Sequence, residues 1–236
     1  MNYFDKVYPF TTEAINSYFP LLDLENKKLL TLGSSMDQVF NAILLGAKEI
    51  TVYDINPYIL DFYKIKKNAL TSVDRNHFFH NVEATYDIPF TRDCYDKDTV
   101  YGINNYLNSD NNYNELINKL DDVSVDIING DIYNIDLNAN KKYDRVVLSN
   151  VLDYAYIYKD KSRKHLIAEL MYNLDKNLES DAIVQLLYLY NFNINNETQI
   201  EKLQEVKDVL SKYKLDLETF RGVGGNKDAV VLCKKK

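Results

Sequence analysis

One stretch constrains this chain more than any other. The run Leu29-Leu30-Thr31-Leu32-Gly33-Ser34-Ser35-Met36-Asp37-Gln38 is followed by Ile50-Thr51-Val52-Tyr53-Asp54-Ile55-Asn56-Pro57. Each half begins as a short apolar strand. The first strand, from Lys28 to Leu32, runs into a turn of small residues. A helix from Met36 to Leu45 follows, with Val39, Phe40, Ile43 and Leu44 on one face and Gly46 placed to end it. The second strand, Glu49 to Tyr53, is followed by Asp54 and by Pro57, which suits the first turn of a helix reaching Ala69. This is a strand–helix–strand unit, and such units build parallel sheets.

The same run carries a ligand expectation. Gly33 can take a positive φ, and Ser34 and Ser35 crowd a ligand little. The helix that opens after the turn presents unpaired amides at its N-terminus. Asp54 follows Gly33 by about 20 residues, the spacing at which an acid accepts hydrogen bonds from ribose hydroxyls. A nucleoside-type ligand follows. A dinucleotide site requires G-x-G-x-x-G, but Ser35 and Gln38 stand at the second and third glycine positions. Asp37 near the helix start would repel a pyrophosphate and would suit a sulfonium or an α-amino group. The residues therefore favour S-adenosylmethionine over NAD. Expected cofactor contacts in this unit are Gly33, Ser34, Ser35, Asp37, Gln38, Asp54, Ile55 and Asn56.

The rest of the chain continues the alternation. A third buried strand is expected over Val125 to Asn129, and a fourth over Tyr143 to Ser149. A helix spans about Arg163 to Leu174, a fifth strand Ala182 to Tyr188 and a helix Asn196 to Tyr213. Leu217 to Arg221 and Ala229 to Cys233 read as two strands joined by the turn Gly222-Val223-Gly224-Gly225-Asn226. Near the start, Thr11 or Thr12 is expected to cap a short helix. Residues 71–124 break the alternation and hold Tyr86, Tyr95, Tyr101, Tyr106 and Tyr113. They read as a surface insertion or as a lid or substrate platform. With 236 residues, the chain is long enough for one large domain with a full core.

Composition narrows the function classes. The formal net charge is -7, so a phosphate backbone is disfavoured as a partner and nucleic acid is not the expected substrate. Lys234-Lys235-Lys236 reads as a solvated tail. No apolar run reaches the ~18 residues of a bilayer span, and residues 1–10 lack the pattern of a signal peptide. Two cysteines, Cys94 and Cys233, lie in unlike contexts, which suits a reducing, cytoplasmic setting without a structural disulfide. His77 and His80 at i, i+3 lack a third metal ligand. His165 reads as a surface or packing residue.

On these motifs the chain resembles the class I S-adenosylmethionine-dependent methyltransferases over most of its length. Gly33 matches the first loop glycine and Asp54 the ribose acid. Gly130-Asp131-Ile132 matches the segment beside the adenine. Ser149-Asn150-Val151-Leu152-Asp153-Tyr154 matches the segment after the fourth strand, and the C-terminal strand pair matches the closing hairpin. Ser35 and Asp37 replace the later glycines, and Thr31 stands where an acid is usual. The resemblance implies a Rossmann-like, doubly wound α/β fold. Its mostly parallel seven-stranded sheet carries a C-terminal antiparallel hairpin and an insertion before the third strand. It also implies methyl transfer to a small-molecule acceptor.

Asn150, Asp153 and Tyr154 are the expected catalytic residues, with Asp153 orienting or deprotonating the acceptor. The resemblance also implies that Tyr3 and Tyr8 close over the cofactor, with Asp131, Ile132 and Asn150 as its further contacts. Residues 29–70, with Lys64-Ile65-Lys66, are also similar to the aminocarboxypropyl transferases of betaine-lipid synthesis, which transfer the amino-acid arm of the same cofactor. A cofactor-binding regulatory module without catalysis is the alternative of a different class.

Overall fold

The computed structural model describes residues 7–84, 95–135 and 141–235. The chain divides into two compact units, one ending at Asp131 and one beginning at Ile132.

In the first unit three parallel strands, β1 (Lys28–Thr31), β2 (Glu49–Asp54) and β3 (Ser124–Asn129), lie side by side. Lys28 is opposite Glu49, and Glu49 is opposite Ser124. β1 and β2 are almost wholly buried. β3 alternates between exposed and half-buried residues because it is the edge strand of the sheet. The sequence expectation of a buried third strand is corrected accordingly.

Helix α1 (Ile15–Tyr18) precedes β1. Its N-cap is Ala14, without a side-chain bond. Thr11 Oγ1 instead accepts from the Glu13 amide, so neither threonine caps the helix. Helix α2 (Asp37–Leu44) is buried on every side, more than its one-faced pattern implied. Helix α3 (Ile59–Ser72) follows β2.

The insertion is helical. It contains α4 (Arg75–Glu83), α5 (Lys97–Ile103) and α6 (Asp110–Lys119). Asp74, Asp96 and Ser109 cap them by accepting from the amides of His77, Thr99 and Asn112. Phe78 and Phe79 are buried. Tyr101, Tyr106 and Tyr113 are buried, and the Phe78 ring meets Tyr106 and Tyr113 edge-on at 6.2 and 5.9 Å. Tyr106 also packs on Phe40 of α2 at 5.8 Å, so these tyrosines join the insertion to the rest of the unit.

In the second unit β4 (Tyr143–Val147) runs parallel to β5 (Leu178–Leu189). Strands β6 (Tyr213–Arg221) and β7 (Lys227–Lys235) form an antiparallel hairpin, and β7 is antiparallel to β5. Gly224 and Gly225 take φ of 66° and 82°, which explains glycine in the hairpin turn. The helices are α7 (Val151–Tyr158), α8 (Arg163–Asp175) and α9 (Glu197–Val209). The strands follow the order β3-β2-β1 in the first unit and β4-β5-β7-β6 in the second. Among the described residues, no helix is long and apolar enough to cross a membrane.

Candidate functional site

The site expected from the sequence begins where β1 ends. The left-handed positions of its turn are Ser34 (φ 43°) and Met36 (φ 63°), not Gly33. Such a conformation costs an L-residue about 1–2 kcal/mol. Gly33 is needed for another reason. A Cβ there would lie 2.3 Å from Ile59 Cγ1 and 3.1 Å from Asp54 Oδ2. The glycine therefore lets the turn approach α3 and the acid at the end of β2.

Asp54 is the second part of the site. Its Oδ2 accepts from the Ser34 amide at 2.8 Å, and its Oδ1 accepts from the Asn56 amide at 2.8 Å. Burial pushes its carboxyl above the ordinary value, against the pull of the backbone amides of Asn56, Ser34 and Gly33. The Asp54 carbonyl accepts from the Gly130 amide at 2.8 Å, and Asn129 Nδ2 donates to the carbonyls of Asp54 and Asn56. These bonds bring the ends of β2 and β3 together, so Asp131 follows directly from a segment fixed beside Asp54. Asn56 is buried and its Oδ1 accepts from the Tyr58 amide at the start of α3. Ile55 is exposed, whereas Ile132 is buried and Asp131 and Tyr8 are half-buried.

Asp37 departs from its expected role. Its side chain is fully buried and meets a cation of its own chain, Lys66 Nζ, at 2.5 Å. Tyr106 OH also donates to Oδ1 at 2.6 Å. The Thr11 amide and Ser35 Oγ donate to Oδ2 at 2.6 and 3.0 Å. A carboxylate has about four lone-pair positions, and all are taken. Asp37 therefore does not face a ligand cation. Its neutralised charge also removes the electrostatic objection to a pyrophosphate. What still separates the loop from a dinucleotide site is the replacement of two glycines by Ser35 and Gln38, both buried side chains. Gln38 Oε1 is a buried acceptor without a hydrogen-bond donor among the described residues.

Lys66 is the residue that sequence reasoning missed as part of this site. Its signal was its place on α3, in line with Ile59, Phe62, Ala69 and Leu70, which are all buried. A lysine in such a stripe needs a partner. Burial lowers its pKa, and the Asp37 carboxylate acts in the opposite direction.

In the second unit the turn after β4 passes through Ser149, at φ 54°. Gln185 Oε1 accepts from the amides of Leu148 and Ser149 at 3.2 and 2.8 Å, and the Tyr188 amide donates to the Ser149 carbonyl at 3.1 Å. Asn150 sits at the N-cap of α7 without a side-chain capping bond, and its Oδ1 accepts from Ser149 Oγ. Asp153 is paired with Lys202 Nζ at 2.7 Å and lies 4.0 Å from Arg163 Nε. Arg163 also bonds Glu205 and lies over the Tyr156 ring. Asp153 thus anchors α7 to α8 and α9. Tyr154 is half-buried. His77 pairs with Asp74, and His80 lies 3.5 Å from Glu83. Tyr3, Tyr86 and Cys94 lie outside the described residues.

No family profile matches this sequence, and no curated protein does. Solved structures do. A methyltransferase from Pyrococcus furiosus is 10% identical with a TM-score of 0.50, over 92% of this chain and 79% of that one. A glycopeptide N-methyltransferase is 12% identical with a TM-score of 0.53, over 94% of this chain and 89% of that one. At such identities the likeness is one of fold. The chain has the Rossmann-like fold of the class I methyltransferases, with the antiparallel closing hairpin that the resemblance implied.

Proposed function

We propose that this chain is an S-adenosylmethionine-dependent transferase that methylates a small-molecule acceptor. The observation that carries this reading is the bond from the Ser34 amide to the Asp54 carboxylate. It fixes an acid at the end of β2 against the tight turn after β1, inside a methyltransferase fold. The Asp54 oxygens accept from the amides of Ser34 and Asn56, the Gly33 amide also draws on the carboxylate, and a remaining lone-pair position serves a ribose hydroxyl. Gly33, Ser34 and Asn56 lie against it, and Asp131 follows Gly130, whose amide bonds the Asp54 carbonyl. Gln38 adds a buried acceptor in the first turn of α2. The donor set fits a nucleoside.

The cofactor supplies an electrophilic methyl group, so alignment of the acceptor carries much of the rate. With Asp153 held by Lys202, the acceptor-side roles fall to Asn150 and Tyr154. Neither needs to remove a proton if the acceptor reacts as a neutral nucleophile. The acidic net charge of -7 supports a small-molecule acceptor over nucleic acid.

Calorimetric titration with S-adenosylmethionine, S-adenosylhomocysteine and NADH tests the reading. Micromolar binding of the first two and none of the third is expected. Asp54→Ala should weaken that binding by about 1–3 kcal/mol, the range for a hydrogen bond to a charged group. Binding of NADH alone would replace the cofactor assignment. In turnover, S-adenosylhomocysteine is the expected co-product, and methylthioadenosine in its place would indicate aminocarboxypropyl transfer.

A further inference from the structure

The buried ion pair beneath the turn has a geometry that a simple stabilising contact does not require. A lysine ammonium has three donors. Lys66 Nζ spends one on Asp37 Oδ1, one on the Ser35 carbonyl at 2.8 Å and one on the Pro9 carbonyl at 2.9 Å. The Phe10 ring lies 4.4 Å from the same nitrogen. Two of the three bonds therefore hold backbone, and one of those holds the residue between the two left-handed positions, Ser34 and Met36. Asp37 reaches the same segments from the other side, through the Thr11 amide and Ser35 Oγ. Tyr106 brings the insertion to the same carboxylate.

We propose that Lys66, with Asp37 and Tyr106, is a positioning group that fixes the Gly33–Asp37 turn in its ligand-binding shape. In this role buried charge replaces the backbone freedom that further glycines would give. Residues 9–11 are fastened to the turn by the same group. The proposal rests on the reading of this turn as the cofactor loop. Its geometry, however, can be tested without a ligand.

The test uses the full chain carrying Lys66→Met together with Asp37→Leu. Changing both residues avoids leaving one buried charge alone, and such apolar replacements often preserve stability. Backbone amide hydrogen exchange is read residue by residue in the absence of ligand. The Ser34 and Met36 amides should exchange at least tenfold faster than in the wild type, while the amides of β1 and β2 stay as protected as before. Unchanged exchange at Ser34 and Met36 would overturn the proposal. So would a uniform rise across β1, β2 and the turn, which is what a purely structural pair would give. S-adenosylhomocysteine affinity is measured in parallel and should fall at least tenfold in the paired variant. A wild-type chain that binds no S-adenosylhomocysteine would refute the cofactor reading, and the exchange result would still decide the role of Lys66.

Discussion

After β1 the chain bends through Ser34 and Met36, both at positive φ. After β4 it bends through Ser149, also at positive φ. Neither bend uses glycine at its left-handed positions. The first is held by charge. Lys66 and Asp37 form a buried pair that grips the Ser35 carbonyl and the Thr11 amide. The second is held by a neutral amide, since Gln185 Oε1 accepts from two consecutive backbone amides and Gln185 Nε2 lies 3.4 Å from the Ser149 carbonyl. In both, strained backbone persists because distant buried polar groups determine it. The difference lies in what happens when a clamp is removed. A lost neutral acceptor strands an amide, whereas a lost cation strands a charge.

The largest effect should follow from breaking the charged clamp on one side only. Lys66→Met leaves the Asp37 carboxylate buried without its cation. Breaking such a pair costs about 3–5 kcal/mol. Chemical denaturation should read that loss as a lower midpoint with an unchanged slope. A loss below about 1 kcal/mol would mean that the carboxylate finds water or takes up a proton, and that the clamp is looser than its distances imply.

The neutral clamp should fail more gently. Gln185→Leu keeps the buried volume close to its original value and removes the acceptor for the Ser149 amide, while the Leu148 amide keeps the Gln185 main-chain carbonyl at 3.0 Å. Leaving a buried donor unsatisfied costs about 1–3 kcal/mol. The same denaturation experiment measures it. If Gln185→Leu proved as costly as Lys66→Met, the contrast between charged and neutral clamps would collapse.

Much of the framework behind these clamps was legible in the sequence. The short apolar strands, the glycine-rich turn of the hairpin and the acid at Asp54 all depend on short-range patterns. The mostly parallel strands and the closing antiparallel hairpin are what the resemblance to methyltransferases led one to expect. The clamps were not legible because their partners are far apart. Lys66 lies 29 positions from Asp37, and Tyr106 lies 69 positions from it. Asp37 looked like a ligand-facing acid because nothing local to it carries a positive charge. The cation that Asp153 meets, Lys202, lies 49 positions away. The insertion was obscure for another reason. Its helices are short and capped, and Tyr101, Tyr106 and Tyr113 pack inward where the number of tyrosines among polar residues suggested an open surface.

The smallest expected effect sharpens the comparison most. Ser34→Gly removes a left-handed serine whose conformation costs about 1–2 kcal/mol. Glycine returns part of that through its greater freedom in the unfolded chain, about 0.5–1 kcal/mol. The amide that donates to Asp54 is retained. The net result should be a gain of roughly 0.5–1 kcal/mol in stability, with the same sign for Ser149→Gly in the other turn. Ligand affinity then separates the two turns. If the first is the cofactor loop, Ser34→Gly should stabilise the protein and yet weaken S-adenosylhomocysteine binding, because the loop gains alternatives that the ligand must remove. Ser149→Gly should stabilise without that loss. Equal affinities in both variants would mean that the charged clamp alone sets the shape of the first turn, and that the serine conformation is its consequence.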